Sequence, residues 1–174
     1  MLNLSFLWEH RRWTVIVLGI SIIFSLAGDL TLYATLPVNA GAMLLNLGQV
    51  GIILSANRFI RLISNPITGF FLDKGKRRPI YLIGLLLGTL STLSYALSRN
   101  FITFLIGRLI WGFAWSFIII TANTMIIDLT QPINRGRYFG ILHLMISLGL
   151  SINPLLGGFL SDAFGLRPTL MLCA

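Results

Sequence analysis

Five runs of apolar residues, each long enough to cross a bilayer, follow one another with only short loops between them: Trp13–Leu36, Leu47–Leu72, Pro79–Leu97, Phe101–Ile127 and Tyr138–Leu160, residues 13–36, 47–72, 79–97, 101–127 and 138–160. A sixth run opens at Pro168 and has only seven residues, Pro168–Ala174. A helix needs about 20 mainly apolar residues to span the hydrocarbon core. Little chain is left over for a soluble domain, so residues 1–174 read as one all-α, multi-pass membrane unit. The sixth span reads as truncated.

The charges support this class. They make up 10% of the chain, against about 25% in ordinary soluble domains. The net charge of +8 raises nucleic acid as a partner, but the placement of the cations argues against it. Arg11 and Arg12 precede span 1, Lys74, Lys76, Arg77 and Arg78 follow span 2, and Arg135 and Arg137 follow span 4. The alternate loops carry only Arg99 and Arg167. This asymmetry is the positive-inside pattern and puts the N-terminus in the cytoplasm of a cell whose plasma membrane holds the chain. Arg11-Arg12 and the apolar run after them also suggest a signal peptide, but the run continues past Asp29 and four more spans follow.

Spans 2 and 5 match at an offset of 89 residues: Gly51 on Gly140, Gly69-Phe70 on Gly158-Phe159, Asp73 on Asp162, and Arg78-Pro79 on Arg167-Pro168. Asn65-Pro66 and Asn153-Pro154 fall one residue out of register. Copies three spans apart cross the membrane in opposite directions, which is a 3+3 inverted repeat of the kind built into secondary transporters.

Three signatures then resemble the major facilitator superfamily, specifically the N-terminal six-helix half of its drug/proton antiporters. The loop Gly69-Phe70-Phe71-Leu72-Asp73-Lys74-Gly75-Lys76-Arg77-Arg78 is similar to the family's G-x-x-x-D-R-x-G-R-R, with its second glycine one place early. Arg108-Leu109-Ile110-Trp111-Gly112 resembles R-x-x-Q-G, with tryptophan in place of glutamine. Gly140, Gly149, Asn153-Pro154 and Gly157-Gly158 resemble the antiporter signature of the fifth helix, with Asn153 replacing a glycine. The resemblance implies alternating access, a second six-helix half as partner, and transport of a small-molecule substrate, with export in exchange for protons the leading expectation. It also implies a cytoplasmic gating loop of Gly69, Asp73, Lys74, Arg77 and Arg78 closed on Asp128, and a fifth-helix face that meets the opposite half.

The residues themselves single out two polar groups. Asp29 and Arg108 lie at similar depth, because each sits some 10 Å from the outer end of its span at 1.5 Å per residue. Ionisable groups within a span usually face the bundle interior and mark a relay or pathway. Asp29 with Arg108 is therefore the candidate for proton coupling; a static pair, or an Asp29 solvated from the outer surface, are the alternatives. In span 2, Asn57, Arg61, Ser64, Asn65 and Thr68 recur on one helical face, flanked by Arg58. Asn57, Arg58 and Arg61 are the candidate lining of a substrate cavity. Their excess cations call for acids from another part of a longer protein, a water-filled cavity or an anionic substrate.

Gly149, Asn153 and Gly157, spaced by four, give a narrow face for close helix contact, and His143 reads as packing. No phosphate-cradling loop, catalytic constellation or metal-ligand spacing occurs, so neither an enzyme nor a cofactor or metal is expected. The rival functions are an anion-selective importer or exchanger of the same superfamily and a truncated, non-transporting assembly partner. A third possibility is a half-transporter acting as a homodimer, for which the chain as written is a poor candidate, since the seven residues Pro168–Ala174 cannot cross a bilayer.

Overall fold

The computed structural model describes the backbone of residues 4–41 and 45–174, and side chains from residue 12 onward. It consists of six helices: α1 (Leu4–Asn39), α2 (Leu47–Lys74), α3 (Arg77–Leu97), α4 (Phe101–Leu129), α5 (Pro132–Phe164) and α6 (Leu166–Leu172). Four segments, Arg12–Asn39, Arg77–Leu97, Phe101–Leu129 and Pro132–Phe164, are long and apolar enough to cross a bilayer among the described residues. At 28 residues α2 is long enough too, about 42 Å at 1.5 Å per residue. Its polar stripe keeps its hydropathy below that of the others.

Most helix ends fall where local chemistry puts them. Asn46 and Asn100 cap α2 and α4, each accepting from the backbone N–H three residues on in a capping box, which satisfies donors the first turn cannot. Pro132 occupies the first turn of α5, where its missing N–H costs nothing. Gly165, at φ 87°, stops α5 and opens α6, a backbone conformation that favours glycine. Several ends differ from the sequence expectation, and most of all the start of α1, at Leu4 rather than Trp13. The sequence places the end of span 1 at Leu36, ahead of Pro37, but α1 runs through Pro37 to Asn39; α5 begins six residues before Tyr138, and α6 two residues before Pro168.

The packing has an internal two-fold logic. α1 lies along α5 and α2 along α4, and both pairs run parallel. On the first seam Gly19 meets Met145, Gly149 meets Ile23 and Gly157 meets Thr31. On the second Arg108 meets Ile53 and Ser116 meets Ser64. Exchanging α1 with α4 and α2 with α5 turns one seam into the other, which is the 3+3 inverted repeat read from spans 2 and 5. α3 packs on α4 in addition. The all-α class with membrane-spanning helices therefore holds, and the six helices fit the six-helix unit expected from the sequence. Beside the seven-residue α6, a cleft of ≈ 760 Å³ opens between α1, α3 and α5.

Candidate functional site

The middle of the bundle is held by Arg108, which is fully buried. Its Nη1 donates to Asp29 Oδ1 of α1 and approaches the Tyr95 hydroxyl of α3 at 3.5 Å. Its Nε donates to the Ile53 carbonyl at 3.2 Å and its Nη2 to the Leu54 carbonyl at 3.4 Å, both on α2. The guanidinium also lies over the Tyr33 ring at 4.7 Å, an attraction that grows in the absence of water. Four helices thus converge on one side chain. Asp29 is 4% exposed, which rules out its solvation from the outer surface in this conformation. The close pair and its carbonyl acceptors supply the compensation that a buried charge requires.

Sequence reasoning paired Asp29 with Arg108 but missed the rest of this cluster. Tyr33 lies one turn after Asp29 on α1 and could have been found from that spacing. Its hydroxyl donates to the Leu54 carbonyl at 2.8 Å and reaches Asn57 Oδ1 at 3.3 Å, linking the ion pair to the α2 stripe. The Ile53 and Leu54 carbonyls carry no side-chain signal at all. Trp111, standing where the family has glutamine, is fully buried. A Cβ on Gly88 would sit 3.1 Å from its ring, so the indole packs into the space that a side chain at that position of α3 would take.

On α2 the stripe is divided between interior and surface. Asn57, Ser64 and Thr68 are fully buried. Ser64 Oγ lies 2.6 Å from Ser116 Oγ on α4, and Ser116 Oγ donates to Asn65 Oδ1 at 2.7 Å. Arg61 is half-buried, with its guanidinium carbon 5.6 Å from the centre of the Trp115 ring. Arg58 is exposed and stands outside this group.

The loop between α2 and α3 also divides. Arg77 Nε donates to Asp128 Oδ2 at 3.1 Å, tying it to the end of α4. The same guanidinium donates to the carbonyls of Leu72 and Gly75. It thereby caps the end of α2, where carbonyls have no helical partner. Lys74 lies over the Phe70 ring at 4.1 Å, while Arg78 and Asp73 are exposed and Gly69 has open space around it. The early glycine of the motif has a steric reason: a Cβ at Gly75 would stand 2.9 Å from the Phe71 carbonyl. Asp128→Ala is expected to cost under about 1 kcal/mol, as for an exposed ion pair. Arg77→Ala should cost more, because the α2 carbonyls lose their donor too. Thermal unfolding of the two variants in detergent checks that order.

The fifth-helix signature occupies two faces. Gly149 and Gly157 close on α1, and Asn153 Nδ2 donates to the Ile23 carbonyl at 2.8 Å between them. That face is used inside this bundle. Gly140 and Gly158 have nothing within 4 Å of a would-be Cβ, and Pro154 lies half-buried between the two faces.

The sequence model of the Major Facilitator Superfamily matches residues 15–174. The chain belongs to the major facilitator superfamily. Relatives include the class H tetracycline resistance protein of Pasteurella multocida, 38% identical over 64% of this chain. The chain is also 28% identical, over 91% of its length, to multidrug resistance protein 2 of Bacillus subtilis. With the quinolone resistance protein NorA of Staphylococcus aureus it shares 25% identity over 85% of its length. The alignments span 28%, 40% and 38% of those relatives, so this superfamily member covers less than half of each. Its family and its long apolar helices make it a multi-pass membrane protein of a transporter family.

Proposed function

We propose that this chain is the N-terminal half of a proton-coupled antiporter that exports small organic molecules across the plasma membrane by alternating access. The observation that carries this reading is the buried Asp29–Arg108 pair, which joins α1 to α4 at the centre of the bundle. A carboxylate held by one guanidinium gains a proton when that guanidinium withdraws and loses it when the pair re-forms. Such a pair turns a helix movement into proton uptake and release. A second six-helix half would complete a substrate site near the bilayer midplane.

The relatives' names point to tetracycline and quinolone compounds as the first substrates to try. The charge asymmetry between loops supports a cytoplasmic N-terminus, and the Arg77–Asp128 bridge would then close the cytoplasmic side. The test is drug transport in proteoliposomes carrying the full gene product under an imposed pH gradient. Asp29→Asn is expected to abolish the gradient-driven component while leaving drug binding measurable. Gradient-driven transport that persists in Asp29→Asn would refute the coupling role.

A further inference from the structure

We propose that the Arg61–Trp115 pair between α2 and α4 is a recognition site for organic anions, specifically carboxylates carried on a flat, aromatic body. The inference rests on the transporter reading and names the substrate class of its cavity. Asp29 gives its Oδ1 to Arg108, and no close ion pair joins it to Arg61. Among the described residues no carboxylate lies within ion-pair distance of Arg61. Its Nε is buried and has no hydrogen-bond partner. A half-buried cation with a buried, unpartnered N–H calls for an acceptor, and best an anionic one.

The neighbours of Arg61 offer donors, one helical turn away on either side. Asn57 Nδ2 is buried without a partner, while the Asn57 oxygen faces the Tyr33 hydroxyl. The Asn65 oxygen is occupied by the Ser116 hydroxyl, itself backed by Ser64, which leaves the Asn65 amide nitrogen as the donor of that side chain. Asn57, Arg61 and Asn65 recur at i, i+4 and i+8, about 6 Å apart along the helix, and run from the fully buried Asn57 through Arg61 to the exposed Asn65. A carboxylate, an acceptor at both oxygens, fits a guanidinium flanked by amide donors. Trp115 sets the rest of the preference. Its ring carries Arg61 on one side and stands 6.2 Å from the ring of Trp111, so a flat apolar body joined to the carboxylate would extend this aromatic surface.

Benzoate and its neutral counterpart benzamide are the probes, with binding to the full gene product in lipid nanodiscs read by tryptophan fluorescence. Benzoate is expected to bind at least about tenfold more tightly than benzamide, a ratio within reach of one charge-assisted hydrogen bond. Arg61→Gln should erase that preference, and Arg61→Lys should restore part of it. Benzamide binding should not change in either variant. Equal benzoate affinity in Arg61→Gln and the parent protein would overturn the proposal. A fall in thermal stability in Arg61→Gln, with benzoate affinity unchanged, would overturn it too, by assigning Arg61 to an acid elsewhere in the protein. Because this is a binding assay, it is independent of the coupling test. Arg61-dependent benzoate binding without gradient-driven transport would refute the antiport reading and leave the anion site standing.

Discussion

Replacing Arg108 with leucine is expected to lower the stability of the bundle by about 3–5 kcal/mol, the usual cost of stranding one member of a buried ion pair. Leucine fills part of the volume, but the Asp29 carboxyl loses its partner in a place that is 4% exposed and must either take up a proton or strand a charge there. The Ile53 and Leu54 carbonyls lose a donor each, and the faces of Tyr33 and Tyr95 lose their cation. Arg108→Lys should rescue little, since one ammonium cannot reproduce a planar fork that reaches α1 and α2 together. Removing both charges in Asp29→Leu/Arg108→Leu should recover most of the stability. Thermal unfolding in detergent measures all three. The double variant also separates the two surviving roles of the pair. A stable double variant with transport intact would mean a structural pair, and a stable one without gradient-driven transport would mean a coupling pair.

The second large effect is expected at Gly112, the closing residue of the Arg108 motif. A Cβ there would stand 2.9 Å from the Asn57 carbonyl oxygen and would run into the Ile60 side chain. Ile60 can rotate, but the Asn57 oxygen belongs to the backbone of α2, so the two helices must part. Overpacking of this kind costs about 1–3 kcal/mol. The Ser64–Ser116–Asn65 chain spans the same seam one turn further on and would stretch with it. Gly157→Ala should behave alike on the α1–α5 seam, where the Thr31 Cβ lies 2.7 Å away. Gly140→Ala and Gly158→Ala meet nothing within 4 Å and should be neutral or stabilising by up to about 1 kcal/mol, the helix preference for alanine over glycine. Comparative unfolding of the four variants decides whether the small residues are distributed between two faces as described.

What the sequence made legible follows from the physics of a bilayer. Spans are visible because length and hydropathy are local properties, and buried charges stand out against them. Asp29, Arg108 and Arg61 could therefore be picked out, and the shared depth of Asp29 and Arg108 could be counted along the chain. The helical face Asn57–Thr68 was visible for the same reason. Which part of that face turns inward was not, because that depends on where α4 lies. Ile53 and Leu54 act through their carbonyls, which every residue has, so nothing marks them in advance. Pro37 misled because proline usually ends a helix, whereas here it falls in the last turn of α1, where little helix remains to be broken. The fifth-helix glycines look like a single motif in sequence, yet a period of 3.6 residues sends Gly157 and Gly158 to different neighbours.

The convergence of α1, α2, α3 and α4 on one guanidinium has a mechanical consequence. A one-residue slide of any of them is 1.5 Å, enough to take a 3.2–3.5 Å contact beyond hydrogen-bonding range. The knot therefore resists shear in several directions at once, and deformation within the unit is expensive. Large displacements are left to surfaces the knot does not tie. So long as Arg108 stays seated, the bundle is a lever and its hinge lies elsewhere; unseating that one side chain is what would let it bend.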